Sequence, residues 1–410
     1  MNSVQISPLF TEAPPSTLGE ARLAVDNIEH ECRSSFHQRR SCPSPFQHPI
    51  QASYWLFELL FGLLSMFALL AFLAAVPIVN FLALGYMLEA QGNVARTGKL
   101  RNAFPLLSLA PRLGGVAAGT WFWWWAVRLV SDAASDARLI APGTATANAW
   151  LIGLRIFAAV VSVHLILAIA RGGRLGLFFW PTPLNALWLW KRVRQGDYLD
   201  SAGYAVREFI RSLRLRYHFG LGLRGFVLAF AWLFIPTLLF SALRDTSKPE
   251  QAVVTLIGGA MLACVLSWVP FLQTHFAAQN RWRAMFELRT IRELYRKAPI
   301  AMFMAAVLLY ALSLPLYLFK VAALPRDVYW LLTPVFILTI YPAKILVGWA
   351  YAHAIRRDRR ASVWIRWPLN LIQFGLLGIY VFILFFTPAI GAAGRAVLFQ
   401  HHGILLPWPF

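Results

Sequence analysis

The stretch at residues 53–88, SYWLFELLFGLLSMFALLAFLAAVPIVNFLALGYML, decides the fold. A helix needs about 20 apolar residues to cross a hydrocarbon core of about 30 Å, so this run is too long for one perpendicular crossing. Pro77, which has no backbone N–H to donate, interrupts it beside Asn80. The run therefore reads as one tilted, kinked span or as a tight helical hairpin. That choice sets the side of the N-terminus, because a single span puts residues 1–50 outside and a hairpin keeps them inside. The hairpin is preferred: the first twenty residues hold no basic flank followed by an apolar core, and a long polar tail seldom crosses a membrane without such a signal.

Seven further segments have spanning length, at 113–130, 147–170, 220–243, 252–276, 299–319, 329–351 and 369–390. The charge between them alternates. Loops at 91–112, 171–219, 276–298 and 353–367 hold 4, 9, 6 and 5 Lys or Arg residues, against 1, 2, 2 and 1 in the intervening segments at 131–146, 243–251, 320–328 and 390–410. Basic residues accumulate in short cytoplasmic loops, so the four rich loops are predicted to be cytoplasmic. The fold class is all-α: a polytopic transmembrane helical bundle of about eight spans with interfacial amphipathic helices. Residues 1–50 are polar and mixed in charge, and read as a disordered tail. Residues 51–410 form one membrane domain with a large basic cytoplasmic loop at 171–219.

Composition agrees with the bilayer as solvent: 59% of the 410 residues are hydrophobic, 14% are charged, and the mean hydropathy is +0.57. The net charge of +20 does not mark a nucleic-acid binder, because it alternates with spans instead of gathering on a water-soluble face. Anionic lipid headgroups are the expected partners of the basic loops. Cys32, Cys42 and Cys264 form no CxxC pair. His30, Cys32, His37, Cys42 and His48 match no standard zinc spacing, so no metal and no cofactor is assigned.

Two segments resemble a known family. VPIVNFLALGYMLEAQGNVARTGKLRNAF, with Pro77, Gly85, Tyr86 and Gly98, is similar to the opening of bacterial and archaeal membrane proteins grouped as domain of unknown function 4013. HFAAQNRWRAMFELRTIRELYRKAP resembles that family's basic amphipathic stretch through Arg283, Ala284, Phe286, Leu288 and Arg289. The chain departs from the family by a long insert at 113–250 and by extra C-terminal spans. The resemblance implies a multispan protein, here of the bacterial cytoplasmic membrane, and carries over no functional residue. The two segments also resemble each other: Val-Pro pairs at 76–77 and 269–270 precede basic stretches containing LRNAF and WRAMF. A duplicated module of this kind is frequent in transporters.

Ionisable side chains within spans are costly and are the candidates for function: Glu58, Arg128, Arg155, His164, Arg224 and Lys344. Arg128 and Arg155 lie toward the outer side, within reach of Asp132 or Asp136, and Arg224 and Lys344 are expected to snorkel to the cytoplasmic interface. His164 is too deep to reach water and needs a hydrogen-bond partner or a wet cavity. Glu58 is the carboxylate lying well inside an apolar run, and this scarcity of buried acids weakens a proton-coupled carrier. The polar candidates kept are therefore Glu58, Arg155, His164 and Lys344. Pro236, Pro315, Pro334 and Pro342 invite kinks within spans. No GxSxG, HExxH or P-loop motif is present, and no catalytic residue is assigned.

Two segments are predicted to lie along the membrane surface. Residues 175–190 contain Pro181 and Pro183 and are basic at both ends, which suits an interfacial or re-entrant element. Residues 201–217 gather Val206, Phe209, Ile210, Leu213 and Tyr217 on one helical face, with Arg207, Arg211 and Arg214 pointing mainly elsewhere. Three functions fit, in this order: a non-enzymatic membrane protein that organises or supports other membrane components, a small-solute permease, and a membrane-embedded enzyme acting on lipid. A sealed apolar interior would mark the first and a polar, water-accessible midplane the second. Polar groups clustered at headgroup depth would mark the third.

Overall fold

The computed structural model describes residues 46–171, 175–179, 209–243, 247–321, 332–390 and 394–405, with Ser44 and isolated positions between 187 and 207. The tail at 1–43, with most of the Cys/His group, and much of 175–190 lie outside the described residues. The rest is helical: α1 Pro49–Ala75, α2 Asn80–Thr97, α3 Ala110–Ile140, α4 Ala145–Ala170, α5 Leu215–Phe240, α6 Pro249–Gln279, α7 Leu288–Lys297, α8 Pro299–Val321, α9 Leu332–Arg356 and α10 Val363–Ile390. Among the described residues seven helices are long and apolar enough to cross a membrane: α1, α4, α5, α6, α8, α9 and α10. The chain is an all-α integral membrane protein.

The long first run is broken at Pro77, where Ile78 takes a left-handed backbone (φ 69°). The break reverses the chain. In a straight helix Met66 and Tyr86 would stand about 30 Å apart, yet the Tyr86 hydroxyl donates to Met66 Sδ at 2.7 Å. The run is thus two helices folded against each other. The second, α2, occupies the centre: every residue from Ala83 to Ala95 is buried, surrounded by α5, α6 and α9. It approaches α5 so closely that a Cβ on Gly85 would strike the His218 carbonyl and one on Gly222 the Phe81 carbonyl.

The internal resemblance has a structural counterpart. α2 ends at Gly98 (φ 65°) and α6 at Asn280 (φ 51°), both left-handed, and each is followed by an extended residue and then a single 3₁₀ turn, LRNA or WRAMF. The alignment of LRNAF with WRAMF sets Gln91 opposite Gln273. α2 and α6 lie side by side and run the same way, since Gln91 bonds to Thr274 and, farther along, Arg96 bonds to the carbonyls of Ala277 and Ala278.

The charge alternation is also realised in space, because all four basic loops meet at one end of the bundle. Arg356 donates to the Thr97 carbonyl, Ala361 N–H donates to the Arg296 carbonyl at 2.8 Å, and Arg112 lies over the Phe209 ring at 4.3 Å. The surface helix expected at 201–217 is shorter than predicted. Its described residues are helical up to Ser212, Arg214 then turns left-handed (φ 50°), and Tyr217 belongs to α5. Arg214 turns inward to Glu89. At the opposite end the chain after α10 folds back into the bundle. Val397, Leu398 and residues 401–405 are buried there, and Tyr317 donates to the Gln400 carbonyl at 2.7 Å.

Candidate functional site: a buried polar column

A helix buried on every side should be apolar on every side. α2 instead carries Glu89, Gln91 and Asn93, all buried, and its neighbours answer with polar groups at matching levels. Near the basic end, Glu89 accepts from Arg214 at 2.8 Å and lies 2.5 Å from His218 Nε2. The other nitrogen of His218 faces the carbonyls of Leu213 and Arg214, both at 3.1 Å. A second chain begins at the half-buried Glu287, whose carboxylate is 2.8 Å from His275 Nε2; His275 Nδ1 is in turn 2.6 Å from the Tyr351 hydroxyl.

Two residues nearer the basic end of α2 than Glu89, Gln91 donates to Thr274 at 2.6 Å. On the preceding residue of α6, Gln273, the amide oxygen accepts from Lys344 at 2.7 Å and the amide nitrogen donates to the Ile404 carbonyl at 3.2 Å. Lys344 itself stands 3.5 Å from that same carbonyl. Nearer the far end, Thr237 and His401 are 2.8 Å apart. These polar groups lie between the basic end and the segment that folds back, on α2, α5, α6, α9 and residues 401–405.

Of the sequence candidates, Lys344 alone joins this column. It lies midway along α9, about 18 Å from either end, and is 1% exposed. It does not snorkel as expected, because packed side chains surround it and Gln273 holds its ammonium. His164 finds its partner in the Phe178 carbonyl at 3.0 Å, which Trp123 also bonds at 2.7 Å. Glu58 and Arg155 are exposed on α1 and α4. Arg128 lies over Trp124 at 5.4 Å, and among the described residues neither Arg128 nor Arg155 pairs with Asp132 or Asp136. Arg224 bonds to the Gly220 carbonyl and to Asn280.

Glu89 and His218 escaped the sequence reading because Glu89 lies just beyond the run at 53–88 and His218 in the loop at 171–219, while Gln273 and His275 lie inside the span read at 252–276 but were not among its candidates. A signal for Glu89 was present. Had the hairpin's second arm been given spanning length from Asn80, it would have reached past Glu89 and drawn the acid into the membrane. Compared with models of known protein families, with curated proteins and with solved structures, the chain matches none.

Proposed function

We propose that the protein is a permease for a small polar solute. The observation that carries this reading is the column of buried hydrogen-bonding side chains through the bundle centre, with the Lys344 ammonium midway along α9 paired with no carboxylate among the described residues. Polar and ionisable groups inside a membrane are expensive, and pathways are where they are retained. Two parallel helices with matching ends that meet at the site, α2 and α6, are consistent with the internal repeats of transporter architecture. In this reading the basic loops face anionic headgroups of a bacterial cytoplasmic membrane.

The organising or supporting role is the second reading, and one observation favours it. Most groups of the column partner each other, and residues 401–405 close its far end, as a static seal would. Proteoliposomes separate the two. Light scattering should show faster osmotic swelling in a small solute such as glycerol, urea, glycine or acetate than protein-free vesicles give. Folded protein that leaves every one of these rates unchanged overturns the permease reading.

A further inference from the structure

Resting on the permease reading, the geometry points to the class of solute. We propose that Lys344 and Gln273 form a midplane subsite for one oxygen of a small monovalent oxyanion, foremost a carboxylate, and that the Ile404 carbonyl is the internal occupant which such an anion displaces.

The site is built from three elements. α9 supplies the ammonium, α6 the amide, and the segment after α10 the carbonyl. Among the described residues no carboxylate pairs with Lys344. An ammonium has three donors and no acceptor, and here one short bond, to Gln273 Oε1 at 2.7 Å, fixes the amide. With its oxygen so engaged, Gln273 must turn its N–H₂ outward, and it does so onto Ile404 at 3.2 Å. The two donors therefore converge on a single oxygen.

That oxygen is a poor match for what surrounds it. A carbonyl carries only partial negative charge, whereas an ammonium at this depth is best balanced by a full one. The 3.5 Å from Lys344 to the carbonyl also lies at the limit of hydrogen bonding. A free oxyanion can close that gap, because no backbone ties it elsewhere. One cation balances one negative charge, so a divalent anion would bring a second charge with no partner. The occupant is also detachable. Residues 401–405 are not part of a helix, and they are tethered by the Thr237–His401 contact and, just before them, by the Tyr317 bond to Gln400.

The test uses the full chain in lipid nanodiscs, with sodium acetate titrated against sodium sulfate at constant ionic strength and unfolding followed by tryptophan fluorescence. Acetate should raise Tm saturably in the wild type, and Lys344→Met should abolish the rise. Thr237→Val, which loosens the tether while keeping the ammonium and amide, should tighten apparent acetate binding about three- to tenfold, the equivalent of one net hydrogen bond. An equal acetate response in Lys344→Met overturns the subsite. Unchanged affinity in Thr237→Val overturns the displacement. Labelled acetate uptake into proteoliposomes separates this inference from the reading beneath it. Acetate binding without flux of any solute supports the subsite and refutes the permease, while flux of neutral solutes without acetate binding does the reverse.

Discussion

Glu89 and His218 meet where α2 crosses α5, carboxylate to imidazole at 2.5 Å, and they do so because Gly85 and Gly222 let the two backbones touch. Pair and crossing are one device: the glycines bring the helices together, and the pair then satisfies the polar groups that this closeness traps. Removing Glu89 leaves the buried His218 nitrogen without its hydrogen-bond partner, which costs about 1–3 kcal/mol. Glu89→Ala is therefore expected to destabilise the protein strongly. Arg214→Ala should cost less, because that partner's side chain is half exposed and water screens its charge. Denaturant titration in detergent compares the two, and equal losses would refute the assignment.

The crossing itself gives the second prediction. Gly85→Val places its branched side chain against backbone that cannot yield, so folded yield by fluorescence-detected size exclusion should collapse. Gly153→Ala is the control: nothing stands near a Cβ there, and helix propensity favours alanine by about 1 kcal/mol. The control should unfold at the same temperature as the wild type or slightly above it.

Topology is tested by single cysteines in a background lacking Cys32, Cys42 and Cys264. Ser135 and Arg357 are both exposed and lie toward opposite ends of the bundle. An impermeant thiol reagent should label Arg357→Cys only from the side of the basic loops and Ser135→Cys only from the other. Labelling of both from one side would sink the arrangement.

The Tyr351 hydroxyl is 2.6 Å from His275 Nδ1 on a nitrogen that is otherwise enclosed. Tyr351→Phe keeps the ring and deletes that partner, so it should cost about 1–3 kcal/mol. Glu287→Gln keeps an oxygen at the other nitrogen and should cost less. A larger effect from Glu287→Gln would mean that the interaction is chiefly between charges.

Glu293 on α7 provides a pH dependence outside the membrane. Desolvation pushes its pKa up, but the hydrogen bond from Arg296 and the charges of Arg360 and Arg296 outweigh this and hold the carboxyl below the ordinary 4.5. A carboxylate depressed in the folded state stabilises it above the unfolded pKa, and the contribution is lost as pH falls through the folded value. Glu293→Gln should therefore lower Tm slightly at neutral pH, and the two proteins should converge in acid below pH 4.5. A gap that persists in acid would locate the effect in packing instead of charge.

The outer layer of this architecture was legible from apolar length, and the gathering of the four basic loops at one end from Lys and Arg counts, because both signals are local. Pro77 marked the break, and the match of LRNAF to WRAMF foreshadowed two helix ends of one geometry. The polar column was not legible. Its members lie on α2, α5, α6, α9 and the segment after α10, and only packing shows that Lys344 meets Gln273 and not headgroups. For Arg214, heptad-like spacing pointed the side chain to water. A left-handed turn at that residue, which spacing does not encode, sent it to Glu89.

The central placement of α2 bears on how the protein is made. Its acid, amides and arginine make it a poor candidate for partitioning into lipid on its own, yet the partners that satisfy it on α5, α6 and α9 are encoded more than a hundred residues later. Synthesis therefore delivers the centre of the molecule before any of its walls, and α2 must wait, beside α1 or in the insertion machinery, until the later helices arrive to enclose it. The slow step of biogenesis is then the closing of late helices around an early one, and variants that weaken this enclosure should be cleared by quality control during assembly before they fail in the finished protein.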